Sequence, residues 1–218
     1  MLEDRILYVD AEAIVIDKPA GLPVDTPRAG GDSVVARGEE LKLGFQRAPV
    51  AMHRLDRDTS GCLLLARNPK ARAKFQQAFE SGTVEKTYLA VLDGVPEGEE
   101  GLIDLPLAKF STAEAGWRMV ADDKGKRAQT KWRKLGERDG QSLVEFRPLT
   151  GRTHQIRVHA ARGLGAGILG DPVYGTGAGP MLLHSWRIVV PRDRKPPLDV
   201  TAPVPDSFGL WLDFIDGS

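Results

Sequence analysis

Apolar residues along the chain fall in short runs broken by polar or Gly/Pro-rich stretches, and most of the runs suit strands. The opening "ILYVD" and "IVIDKP", separated by "AEA", predict two short strands around a tight connection, and "AGLPVDTPRAGG" reads as a loop. Asp32 is placed to cap a short helix running to Leu43. Further on, "GCLLLAR" is an apolar run that begins at a glycine and is too short for a helix, so it predicts a buried strand. The period then changes in "NPKARAKFQQAFESG". Asn68 stands at the N-cap, Pro69 takes the first helical position, Ala71, Phe75, Ala78 and Phe79 recur at helical spacing, and Gly82 supplies the stop.

Strand patterns resume after that helix. "EKTYLAVLDG" predicts one strand, and "RAQTKWRKLGERDGQSLVEFRPL" predicts a hairpin turning at Arg138, Asp139 and Gly140. In "TGRTHQIRVHAARGLG", Thr150 or Thr153 could cap a short helix ended by Gly163. The Gly/Pro-rich "GAGILGDPVYGTGAGP" leads into a final strand, "MLLHSWRIVV". Strands arriving as hairpins, with two or three helices among them, predict an α+β fold with a central, mainly antiparallel sheet rather than a doubly wound parallel one. No repeat, low-complexity tract or linker interrupts the 218 residues, so a single domain over 1–218 is expected.

Composition adds a core and a compartment. With 41% apolar residues the chain can bury a real interior. Its single cysteine, Cys62, excludes an intrachain disulfide and a multi-cysteine zinc site, and its place in "CLLLA" suits a buried inert thiol in a reducing cytoplasm. No N-terminal targeting pattern is present, and no apolar run approaches the ~20 residues a bilayer span requires. A soluble, cytoplasmic monomer is expected. The formal net charge is zero, but the charge is uneven. Residues 47–74 hold Arg47, Arg54, Arg57, Arg67, Lys70, Arg72 and Lys74 against Asp56 and Asp58, and residues 124–134 hold six basic residues and no acid.

Three places could carry chemistry. In "HRLDRDTSG", an extended backbone would put Arg54 and Asp56 on one side and Leu55 and Arg57 on the other, with Thr59, Ser60 and Gly61 turning the chain. Asp56 is then either a structural ion-pair partner or a carboxylate kept ionised to act as nucleophile or base. In "GRTHQIRVHAARG", Arg152, His154, Gln155, Arg157 and His159 crowd a helix start that is either an exposed polar face or suited to phosphate or carboxylate, with Thr153 and Arg157 one turn apart. His154 and His159 lack the i, i+4 spacing of a metal pair, so no metal is expected. Tyr88 in "EKTYLAV" and Tyr174 in "GDPVYG" read by themselves as strand or loop packing. The phosphate-loop, dinucleotide-fold, nucleophile-elbow and zinc-protease motifs are all missing, and nothing calls for a cofactor.

Taken in order, "IVIDKPAGLPV", "HRLDRDTSG", "EKTYLAVLDG", "TGRTHQIRVH", "ILGDPVYG" and "LLHSWRIVV" resemble the RluA-type pseudouridine synthases over nearly the whole chain. The resemblance implies a sheet flanked by helices and loops, with an active-site cleft, that isomerises specific uridines in structured RNA. It assigns the catalytic aspartate to Asp56 and its pairing arginine to Arg157. It assigns the base-stacking tyrosine to Tyr88 and the arginine that fills the space of the flipped uridine to Arg54. Leu183, with Leu182 as near neighbour, falls at the apolar position lining the base pocket, and Arg152 and His154 belong to the substrate-binding set.

The implied reaction breaks the N1–C1′ bond, turns the base and rejoins it through C5; no atom is gained or lost, in keeping with an absence of cofactors. Asp56 could act at the sugar carbon or remove the 2′ proton, and Tyr88 could take part as acid or base when the C5 proton departs. On this resemblance the chain is expected to be a short form, beginning at once with catalytic-domain sequence and without the N-terminal RNA-binding domain of some relatives. That short form looks like the branch acting on tRNA anticodon loops and large-subunit ribosomal RNA. Residues 37–47 and "AEAGWRMVADDKG" are expected to shape RNA choice. Two alternatives stay open: a nucleosidase or glycosidase using Asp56 with Asp58, and a non-catalytic RNA-binding module using the basic segments alone.

Overall fold

A computed structural model of the protein describes residues 1–112 and 116–215. In chain order the regular elements are β1 (Ile6–Val9), β2 (Ala13–Lys18), β3 (Val50–Ala51), β4 (Ser60–Ala66), α1 (Pro69–Glu80), β5 (Glu85–Leu92), β6 (Glu100–Asp104), β7 (Leu107–Thr112), β8 (Gly116–Ala121), β9 (Gln129–Arg138), β10 (Gln141–Pro148), α2 (Gln155–Val158), β11 (Leu183–Val190) and β12 (Leu198–Thr201). Within each of the units named below the described pairings are antiparallel, apart from that of β11 with β4, which is parallel with His184 beside Ser60 and Ser185 beside Gly61. The fold class is α+β, as the strand-rich pattern predicts. The chain divides into two compact units, Met1–Lys86 with His184–Val204 and Thr87–Leu183 with Pro205–Ser218.

The first unit is built on β2 and β4, which are buried on both faces. Ala13 and Val15 of β2 and Cys62, Leu64 and Ala66 of β4 share a core with Ala71 and Phe75 of α1 and with Ile188, Val190, Leu198 and Val200. Alternate residues of a strand share a face, so one row from each strand feeds this core. Helix α1 forms as its sequence predicts: the Asn68 side chain accepts the Ala71 N–H, and Pro69 opens the first turn. The Asp32 cap does not form. Asp32 instead grips the Arg37 guanidinium, the Ser33 hydroxyl accepts the Ala36 N–H, and only a short 3-10 turn at Gly38–Leu41 follows. Strand β12, absent from the sequence reading, pairs with β11, so "MLLHSWRIVV" does not hold the final strand.

The second unit centres on the β9–β10 hairpin. Asp139 and Gly140 both adopt positive φ, the geometry of a two-residue hairpin turn, and the turn lies where the sequence places it. Strand β5 pairs along β10 from Tyr88↔Phe146 to Leu92↔Ser142, and β6 pairs along β9. Strands β7 and β8 form a separate antiparallel pair with largely exposed side chains. The expected helix after Gly151 exists but is short: α2 runs into a π-helical turn at His159–Gly163. Neither threonine caps it. His154 holds the N-cap position in the left-handed region with no side-chain cap, and Thr150 bonds the Gln155 side chain instead. Part of "AEAGWRMVADDKG", residues 113–115, lies outside the described residues.

Candidate active site

In the first unit, the pairing of β3 with β4 is confined to Val50↔Ala66 and Ala51↔Leu65, and residues 54–56 belong to no ladder. Arg54 is exposed, Leu55 is buried and Asp56 is half-buried. The in-out alternation of an extended chain is therefore kept without a strand. Residues 57 and 58 form a turn, closed by Thr59 N–H donating to the Asp56 carbonyl at 3.1 Å. That turn removes the strand geometry which would have set Asp56 and Asp58 side by side as a carboxylate pair. Asp58 lies 3.8 Å from Arg57, and Arg54 lies 3.2 Å from Asp25.

Below this turn sits Lys18. Its ammonium is fully buried and donates to the carbonyls of Pro19, Leu22 and Arg57 at 2.8, 2.7 and 3.0 Å. Desolvation pulls its pKa down to about 8, against the attraction of Asp58, Asp56 and Asp17. Arg57 and Gly21 exchange a further pair of bonds, Gly21 N–H to the Arg57 carbonyl at 2.9 Å and Arg57 Nε to the Gly21 carbonyl at 3.2 Å. The Asp56 turn is thus tied to the loop after β2. On the β4 side, Ser60 Oγ shares a 2.9 Å hydrogen bond with His184 Nδ1, and burial lowers the His184 pKa to about 4. Gly61 is required here: it has φ of 101°, and a Cβ on it would stand 2.2 Å from the Ser185 carbonyl oxygen.

In the second unit, Arg157 is buried on α2, and its Nε and Nη2 donate to the two carboxylate oxygens of Asp171, both at 2.7 Å. Asp171 also accepts the Val173 and Tyr174 backbone N–H groups. Burial would raise its pKa, but these hydrogen bonds and the Arg157 charge outweigh it and the carboxyl is held below its ordinary value. The Arg157 guanidinium also lies 5.2 Å from the centre of the Tyr174 ring. Tyr174 Oη accepts the Met119 N–H of β8 and shares a hydrogen bond with His154 Nδ1, both 2.9 Å. His154 in turn stacks on Trp117. Arg152 is exposed, with Nε donating to the Arg127 carbonyl. A four-residue α2 preceded by a left-handed residue is not the anion-binding helix start that the sequence suggests, and Thr153 lies outside it.

Tyr88 is buried on β5 opposite Phe146, and Leu183, which opens β11, is buried together with the preceding Leu182. Lys18, His53, Asp171 and Tyr174 show their bonding only in the fold, although each lies within one of the motifs "IVIDKPAGLPV", "HRLDRDTSG" and "ILGDPVYG". What the letters lack is the bonding. Asp171 is adjacent to Arg157 only after the chain has passed through 14 positions. Among the described residues, no group of three or more His, Cys, Asp or Glu is placed to hold a metal ion.

Residues 12–162 match the family described as RNA pseudouridylate synthase. The chain belongs to that family. The synthase is 54% identical over 212 residues to an uncharacterized RNA pseudouridine synthase of Zymomonas mobilis, an alignment covering 95% of this chain and 97% of the relative. It is 36% identical over 178 residues to ribosomal large subunit pseudouridine synthase D of the same organism, covering 78% of this chain and 56% of that one. Its fold is similar to that of the solved human RNA pseudouridylate synthase domain containing 4, with a TM-score of 0.80 and 26% identity over 99% of this chain and 94% of the other. The synthase is therefore an isomerase acting on RNA, as the motifs in "HRLDRDTSG" and "TGRTHQIRVH" imply.

Proposed function

We propose that the protein converts a uridine in a structured RNA loop to pseudouridine with Asp56 as the reacting carboxylate, in a tRNA anticodon loop, in large-subunit ribosomal RNA, or in both. The observation that carries this reading is the setting of Asp56 itself. It stands half-buried at the head of a turn anchored from below by Lys18 and flanked by the exposed cations of Arg54 and Arg57. A buried anchor under a half-buried aspartate flanked by exposed cations fits a residue that meets substrate rather than one spent on packing. Asp56 attacks the sugar carbon or removes the 2′ proton, and Arg54, whose planar cation can stack and hydrogen-bond, takes the place of the extruded base.

Tyr88 stacks on the flipped uracil, with Leu183 against its apolar edge. Arg157 is held for its role by the two-point grip of Asp171. Arg152 and His154 contact the RNA backbone. Exposed Phe110 and Trp117, with the cations of Arg118 and Lys109 over their rings, suit unpaired bases, which offer faces to stack on. Not every basic residue serves RNA. Arg67 donates to the carbonyls of Asp10, Lys42 and Leu43, and Lys134 is held by Glu99 and Glu137. The protein works as a cytoplasmic single-domain monomer without cofactor.

The test uses tRNA and 23S ribosomal RNA transcripts tritiated at uridine C5. Tritium released to water from one or both, with no free uracil, is expected and identifies the substrate. Free uracil would mean hydrolysis. Salt-sensitive binding without tritium release from either RNA would contradict the proposed substrates.

A further inference from the structure

The β3–β4 ladder ends in an unusual way. Met52 N–H donates to the Leu64 carbonyl at 2.9 Å, continuing the antiparallel register set by Ala51↔Leu65. In a regular antiparallel ladder the Leu64 N–H would donate back to the Met52 carbonyl. It donates instead to the imidazole Nε2 of His53 at 3.1 Å. A side chain thus takes the place of a backbone acceptor at the last rung. Because Nε2 accepts an N–H, it carries no proton, and the imidazole is neutral with its proton on Nδ1.

The ring is fixed from a second direction. It stacks on Phe79 of α1 with centroids 5.4 Å apart, and the Lys86 ammonium lies 6.0 Å from the centre of the same Phe79 ring. Burial and the Lys86 charge lower the His53 pKa to about 3, outweighing a backbone hydrogen bond at Arg54 that acts the other way. The acceptor therefore persists at neutral pH. A satisfied Leu64 N–H makes no demand on the chain beyond Met52, so residues 54–56 can leave the sheet. Arg54 and Asp56 are the next residues to emerge.

We propose that His53 is a positioning residue for the reaction: by ending the β3–β4 ladder with its imidazole, it sets where Asp56 and Arg54 leave the sheet. The inference rests on the reading of Asp56 as the reacting carboxylate. The structure gives His53 a job that glutamine can partly do, since a Gln side-chain oxygen can accept the same N–H, whereas alanine cannot.

The experiment measures single-turnover pseudouridine formation at saturating RNA, the RNA Kd and the melting temperature for wild type, His53→Ala, His53→Gln, Phe75→Leu and Asp56→Asn. Phe75→Leu trims a core residue of the same unit and serves as the stability reference. His53→Ala is expected to slow turnover by about 10- to 100-fold, the scale of a small misplacement of reacting groups, with little change in Kd. His53→Gln should recover most of the rate, and Phe75→Leu should lower the melting temperature without slowing turnover. Leu64 amide exchange should accelerate in His53→Ala alone. Full turnover by His53→Ala, equal losses in Ala and Gln, or an equal loss in Phe75→Leu would each overturn the proposal. If Asp56→Asn stays active, the reading of Asp56 fails; if it is inactive while His53→Ala is not, only the role of His53 fails.

Discussion

Arg157 and Asp171 are nearly removed from water, with side-chain exposures of 7% and 0%. Two parallel N–H···O bonds and two backbone N–H donors meet the charge of the carboxylate. Removing one member of such a pair leaves the other charge stranded, at a cost of about 3–5 kcal/mol. Asp171→Asn is accordingly expected to lose several kcal/mol in urea unfolding and most of its turnover, since the guanidinium is no longer gripped in one orientation. Wild-type stability in that variant would contradict the assignment. The sequence shows both residues, in "HQIRVH" and "GDPVYG", but not that they meet, because residue spacing carries no information on which loop folds back onto which helix.

At the scale of elements, legibility follows local capping and turn signals and the presence of a dry face. Helix α1 and the β9–β10 hairpin are plain in the sequence because Asn68, Pro69 and the Asp139-Gly140 turn are local signals, each satisfied within a few residues. Strands β7 and β8 escape because Phe110, Trp117 and their neighbours are largely exposed, so no dry face imposes a period. The caps expected from Asp32, Thr150 and Thr153 fail because Arg37 and Gln155 compete successfully for the first two, while the backbone at His154 takes the N-cap position from the third. The parallel pairing of β4 with β11 meets at Gly61, a residue the sequence marks only as a turn glycine. Gly61→Ala would place a methyl group on the Ser185 carbonyl and demand positive φ of alanine. Its expected outcome is a fall in melting temperature with loss of turnover; a folded variant with full activity would show that β4 and β11 can separate freely there.

At the scale of the whole molecule, His53, His159 and His184 all have pKa values lowered by burial, the first to about 3 and the last to about 4. Below the ordinary histidine value of 6.5 the unfolded chain binds protons that the folded chain refuses. Stability present above pH 6.5 is therefore lost progressively as pH falls toward 4. Asp10 and Asp171, with lowered pKa values, extend the loss below the carboxylate range, whereas Asp17, raised by burial, opposes it. Urea midpoints at pH 7.5, 6 and 5 should fall in that order, and a flat profile would contradict the burial of neutral imidazoles.

The proposed isomerisation turns on Asp56 as the reacting carboxylate. It is tested most directly by reacting a substrate RNA with wild type and with Asp56→Asn, digesting it to nucleosides and quantifying pseudouridine, with RNA binding and melting temperature measured alongside. Expected are pseudouridine from the wild type, a loss of at least about 1,000-fold in the variant as for other removed nucleophiles and bases, and unchanged folding and binding. Pseudouridine formation by a folded Asp56→Asn at a rate near wild type would contradict it.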